Sequence, residues 1–298
     1  MAMSGSGVKN MLAITRFNRL MLNAVLDVKA PNERTIWKVE AMVRYIMILG
    51  LLASTSALAA DSSASSNTSS VDWNGAYAGA FIGSISSDGR TSRGAYQGAL
   101  LTLDVQNGLF PGSLSDMTTR LSGGISAGYN RQFGRFVAGV EADVSFSNIK
   151  SQANFSKIDP NPTAPFTGLN TITSYQTQFG TIGTARLRGG MTFDRTMIFA
   201  SAGLAAGKVI NRFTLDLPGL GYSSPGWSTQ GTRTGFAVGV GIEHRLTDRV
   251  GVKFEAIGID LQDSVVNAVD NATFPGETID YHFKNQMLIG RVGLYMAF

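Results

Sequence analysis

Nine charged side chains sit at alternate positions within short amphipathic segments: Glu141, Asp143, Arg186, Arg188, Glu243, Arg245, Lys253, Glu255 and Arg291. Carboxylates beside arginines can do general acid–base work when their surroundings drive the pKa values apart. The neighbouring positions argue for another use. Ala138, Val140, Ala142, Val144 and Phe146 share one parity, whereas Val137, Gly139, Glu141, Asp143 and Ser145 share the other. Likewise Phe236, Val238, Val240 and Ile242 oppose Gly235, Gly239, Gly241, Glu243 and Arg245, and Val252, Phe254 and Ala256 oppose Lys253, Glu255 and Ile257. Side chains alternate between the two faces of a strand, so each segment has one apolar face and one that carries its charges. Such strands suit a closed barrel with lipid outside and charges inside. Isolated charges in a narrow interior are costly, so these four acids and five bases are expected to pair as a structural plug.

Other chemistry has little support. The chain has no cysteine, which excludes thiol chemistry and a disulfide scaffold. Its histidines are His244 and His282. A Ser–His site would need a serine beside one of them on the same face. Their same-parity neighbours are instead Ile242 and Leu246, and Asp280 and Lys284. No metal-ligand spacing, phosphate loop or dinucleotide turn is present, because the Gly-x-Gly repeats fall inside strands. No cofactor and no enzymatic activity are therefore expected. Haem held by His282 or by the loop aromatics Phe110, Phe166, Tyr222 and Trp227 stays open as a binding reading.

The elements that position the charges are eight predicted strands, at about 73–86, 122–133, 136–147, 175–193, 197–213, 232–246, 250–261 and 284–298. Gly134-Arg135, Asp194-Arg195-Thr196 and Thr247-Asp248-Arg249 supply tight hairpins. The intervening joints, 87–121, 148–174, 214–231 and 262–283, are long. Short turns alternating with long loops predict an all-β, eight-stranded antiparallel up-and-down transmembrane barrel, with turns in the periplasm and loops outside. A soluble β-sandwich would also show many short strands, but has no reason to alternate loop length. Counted from the periplasmic end, Glu141, Arg188, Glu255 and Arg291 fall at one height, roughly 20 Å up at ~3.3 Å per residue. Asp143 and Arg186 fall one pleat higher, Glu243 and Lys253 one lower and opposite each other. Trp73, Phe133, Phe136, Phe193 and Phe298 are expected in the periplasmic aromatic girdle, and Phe81, Phe146, Phe179, Phe213, Phe236 and Tyr281 in the outer one.

Residues 42–59 read as a secretory signal peptide, since Arg44 precedes the apolar run YIMILGLLASTSALA and small residues precede Ala60. Residues 1–41 do not suit a signal's short basic head and read as an extension from a mis-assigned start at Met42. Residues 60–72 form a Ser-rich periplasmic linker and 73–298 the barrel. Seven of the 25 Lys and Arg and three of the 21 acids lie before Ala60, leaving 18 of each. The basic pI belongs to the leader, so nucleic-acid binding is not expected.

The segments WNGAYAGAFIG, GGISAGYNRQFGRFVAGVEADVS and FGTIGTARLRGGMTFDRTMIFASAGLAAGKV, with the closing RVGLYMAF, resemble the small outer-membrane β-barrel proteins of alphaproteobacteria. These are the porin-family or outer-membrane immunogenic proteins, with an OmpA-like barrel. The resemblance spans Trp73 to Phe298 outside the long loops and matches Glu141, Asp143, Arg186 and Arg188 to the family's lumen charges. Met296 and Ala206 stand where the family commonly has aromatics. The resemblance implies a bacterial outer-membrane surface antigen. Its implied partners are membrane lipids, lipopolysaccharide, periplasmic chaperones and the barrel assembly machinery, with Phe298 as the assembly signal.

The function expected is structural: envelope integrity and display of loops for adhesion or ligand binding. The alternatives are a small-solute porin and a haem-type binder. Eight strands leave room only for side chains inside, which disfavours the porin.

Overall fold

The computed structural model describes residues 71–160 and 168–298. The expected extension (1–41), the signal peptide (42–59) and all but two residues of the linker lie outside the described residues, as does Phe166. In chain order the elements are β1 (Gly75–Gln97), α1 (Ala99–Gln106), β2 (Ser113–Phe133), β3 (Phe136–Phe146) and β4 (Ile149–Ile158). They continue with β5 (Asn170–Phe193), β6 (Thr196–Leu217), β7 (Tyr222–Ser223), β8 (Trp227–Arg245), β9 (Val250–Val269) and β10 (Thr278–Ala297).

Every pairing is antiparallel, and the ring β1-β2-β3-β5-β6-β8-β9-β10 closes through β10 on β1. β4 continues the third wall beyond a break at Ser147-Asn148 and pairs with the outer half of β5. One rim carries the short turns. Gly134 and Asp194 adopt φ of 62° and 51°, the left-handed region that glycine enters freely and aspartate tolerates.

The strands are longer than the sequence predicts. Their outer halves occupy much of what reads as loop, so the connections at the outer rim span only 98–112, 159–169, 218–226 and 270–277. β6 has 22 residues, about twice the ~9–11 that a strand needs to cross a membrane. Its outward residues explain the excess. Ile198, Ala200, Ala202, Leu204 and Ala206 form the apolar band, then Lys208 and Arg212 turn polar while Val209 and Phe213 bury inside. β10 repeats this. Leu288, Val292, Leu294 and Met296 face out near the turns, whereas Phe283, Tyr281 and Ile279 face in beyond Gln286. The barrel therefore stands above the membrane with a water-facing outer wall.

The interior is filled in layers. Trp73, Tyr77, Val137, Met197, Phe199 and Tyr295 form a floor. Above the charges lie Ile85, Ile149, Phe179, Ile182, Ile257, Leu261 and Ile289. At the outer mouth Leu101 and Val105 of α1, with Leu109 and Phe110, pack on Tyr175, Phe213, Tyr281 and Phe283. This corrects the girdle assignment. Trp73, Phe81, Phe179, Phe213 and Tyr281 are buried inside, whereas Phe133, Phe136, Phe193, Phe298, Phe146 and Phe236 face outward. Height alone assigned them, but parity decides which side of the wall a ring takes.

The β8–β9 ladder stops at Gly235↔Leu261 although both strands continue. The walls meet again at the top. There Trp227 Nε1 donates to Val269 O at 2.9 Å and Tyr222 Oη donates to Asp270 Oδ2 at 2.7 Å.

Candidate functional site

Adjacent strands bring the charges together because the inward face of each contributes one or two at similar depth. Glu141 and Asp143 come from β3, Arg186 and Arg188 from β5, Glu243 from β8, Lys253 and Glu255 from β9, and Arg291 from β10. Registers place Glu141 across from Arg186, Glu243 across from Lys253, and Glu255 across from Arg291. The sequence count levelled Glu141 with Arg188. The stagger between β3 and β5 moves it one pleat, since Phe136 pairs with Met191 and β5 runs two residues further.

Arg186 is the hub. Its guanidinium donates to Glu141 Oε1 at 2.8 Å, Asp143 Oδ2 at 2.9 Å, Glu255 Oε1 at 2.5 Å and Ser201 Oγ at 2.8 Å. Its Nε donates to Thr184 Oγ1 at 3.1 Å. Arg291 holds Glu255 Oε2 at 2.6 Å and lies 3.0 Å from Asp143 Oδ1. Arg188 donates to Glu243 Oε1 at 2.7 Å and to Tyr77 Oη at 2.6 Å, and Tyr77 Oη donates to Glu141 Oε2 at 2.6 Å. Lys253 Nζ reaches the same Glu141 oxygen at 2.5 Å. All eight side chains are at most 4% exposed. Four anions meet four cations, so the layer is neutral and each buried charge is compensated.

Aromatic faces close the layer from both sides. Arg291 lies 4.2 Å from the Phe81 ring centroid, and Arg188 lies 4.2 Å from that of Phe199. Gly239 makes space for the hub, because a Cβ there would lie 2.7 Å from Ser201 Oγ and 2.9 Å from an Arg186 nitrogen.

Arg245 corrects the expectation that all nine pair. It forms no carboxylate bridge among the described residues. Its guanidinium sits 5.0 Å from the Trp73 ring and 5.4 Å from that of Tyr295, and donates to the turn carbonyl of Asp248 at 2.9 Å. Tyr77, Thr184 and Ser201 are members the sequence reading missed. Their inward parity was available as a signal, but uncharged residues carry no mark that separates network members from filling. Phe298 presents its ring outward at the short-turn rim, and its N–H donates to Ala76 O at 2.9 Å.

Salt bridges on an all-antiparallel, lipid-banded ring do not themselves name a family. Residues 48–285 match the family described as outer membrane protein beta-barrel domain. The chain belongs to that outer-membrane β-barrel family. Its location is the bacterial outer membrane. Two relatives, each named 31 kDa outer-membrane immunogenic protein, come from Brucella melitensis biotype 1 and Brucella suis biovar 1. Each is 30% identical over 173 residues, which cover 57% of this chain and 66% of the relative, just under two thirds of its length. Among solved structures, the outer membrane protein OprG of Pseudomonas aeruginosa aligns over 76% of this chain and 96% of its own, at 13% identity and TM-score 0.44. The outer membrane protease OmpT of Escherichia coli aligns over 80% and 99%, at 8% identity and TM-score 0.39.

Proposed function

We propose that this outer-membrane barrel is a structural surface protein: it stabilises the envelope and displays its outer rim, and its lumen is a stack of sealed layers, not a pore. The carrying observation is the neutral, fully buried ionic layer between an aromatic floor and an aliphatic layer. Side chains fill an eight-stranded interior, whereas aqueous pores use about 16–18 strands. Purified protein in planar bilayers should give no steady ion current. A reproducible open level would overturn this reading and favour the small-solute porin.

Display at the surface for adhesion, antigenicity or ligand binding belongs to this proposal, as do contacts with lipopolysaccharide, chaperones and the assembly machinery. The exposed ring of Phe298 is proposed to serve that machinery. A non-enzymatic role is supported by the histidines. His244 Nδ1 pairs with Thr196 Oγ1 at 2.9 Å near the turns, and His282 faces out between Ser92 and Val265. Neither sits in a hydroxyl–imidazole–carboxylate relay among the described residues.

A further inference from the structure

Beneath α1, at the outer mouth, lies a cavity of about 70 Å³ lined by Leu101, Phe213, Trp227, Ala268 and Ile279 and rimmed by Asp104, Asp270 and Glu277. Two of these carboxylates are committed. Glu277 caps α1, accepting from Leu101 N at 2.9 Å and Leu100 N at 3.2 Å across the bare Cα of Gly98, whose φ is 115°. Asp270 accepts from Tyr222 Oη and from the N–H groups of Ala272 and Thr273. The Asp104 carboxylate accepts no hydrogen bond among the described residues, and the residue is half-buried in the same wall.

The charged groups around Asp104 do not neutralise it. Asp159, following β4, and Glu277, preceding β10, are the charges that act on it. Asp270 lines the cavity with them. The cations that fasten α1 are directed elsewhere. Lys157 Nζ donates to Asn107 O at 2.7 Å, and Arg93 donates to Phe110 O. Burial first, then those two acids, hold the Asp104 carboxyl up at about 6. The site thus lacks one positive charge, at the lip of an apolar, aromatic-walled space.

We propose that this cavity binds a short primary alkylammonium, with its chain against Trp227, Phe213 and Leu101 and its ammonium on the Asp104 carboxylate. Size sets the chain. A dry cavity of ~150 Å³ takes benzene, so one of this volume takes a few methylenes and no ring. Aromatic faces near the ammonium add attraction. The proposal stands apart from the sealed-lumen reading, since the cavity lies in the mouth layer, above the ionic and aliphatic layers that seal the lumen.

Calorimetric titration of the refolded full chain with n-butylammonium tests it, with 1-butanol and sodium chloride as comparators. Binding is expected at pH 8, about tenfold weaker at pH 5, where roughly nine in ten Asp104 carboxyls are protonated at a pKa of about 6. Asp104→Asn keeps the shape and should weaken binding at least tenfold at pH 8. Ala268→Leu fills the apolar space and should weaken it while leaving the carboxylate; heat-modifiable gel mobility checks that both variants fold. Equal binding of butanol, equal competition by sodium, or full affinity in folded Asp104→Asn would each overturn the proposal.

Discussion

Glu141 shows what one residue carries in this barrel. Its two oxygens take bonds from Tyr77, Arg186, Arg188, Lys253 and Arg291. Removing one partner from a buried ionic set leaves the others uncompensated, so Glu141→Ala should cost about 3–5 kcal/mol. Gly239→Val should be damaging too, because its side chain would displace the Arg186 hub. Arg245→Ala should cost far less. It strands no carboxylate and loses chiefly its ring contacts, worth about 0.5–2 kcal/mol. Unfolding in denaturant, followed by heat-modifiable mobility, ranks the three; an Arg245→Ala loss equal to that of Glu141→Ala would mean the ring contacts hold as much as the ion pairs. Parity alone made the inward set legible in the sequence. Which cation finds a carboxylate and which a ring depends on depth, and depth depends on strand stagger, which no single strand records.

At the scale of elements, the sequence hides the outer halves of the strands by a change of phase. In β10 Leu288, Val292, Leu294 and Met296 face out near the turns, whereas Ile279, Tyr281 and Phe283, in a stretch that reads as loop, face in. Where lipid gives way to water the outward face must become polar, and the interior must still be filled. A fixed alternation of two therefore breaks at the membrane surface, and the continuation reads as loop. α1 went unseen for a related reason: ALLTLDVQ is too short for a periodic stripe and is held by Glu277, distant in sequence. That helix should respond to pH. The Asp104 carboxyl is held up at about 6 by burial, Asp159 and Glu277, against roughly 4 in an unfolded chain. The folded form thus binds this proton more tightly. Its stabilising contribution is complete below about pH 4 and is lost as pH rises through about 6. After correction for intrinsic rates, amides of Leu101–Gln106 should exchange more slowly at pH 5 than at pH 7.5, and Asp104→Asn should flatten the difference. Protection that rises with pH would reverse the sign of the argument.

For the whole molecule, the stacking of layers separates stability from permeability. The chain is closed by β10 on β1 and filled from floor to mouth, with the ionic layer between two apolar ones. The ring of eight, its turns and its charge layer were legible because alternation, turn residues and loop length are local signals. Of the apolar storey above the charges, parity placed Ile257 inward, whereas Phe179 was assigned to the outer girdle because height alone does not say which side of the wall a ring takes. That storey makes a specific prediction. If the salt bridges alone sealed the lumen, breaking them would open a water-filled path. Ile85, Phe179, Ile182 and Ile257 instead form a separate obstruction, each fully buried and with no polar atom to hold a file of water. The double variant Glu141→Ala with Arg186→Ala should therefore unfold at lower denaturant than wild type yet carry no steady current in planar bilayers. Adding Phe179→Ala and Ile257→Ala, which removes side chains from the layer above, should be needed before conductance is seen. Steady current through the double variant alone would place the seal in the ionic layer and make the apolar storeys mere filling.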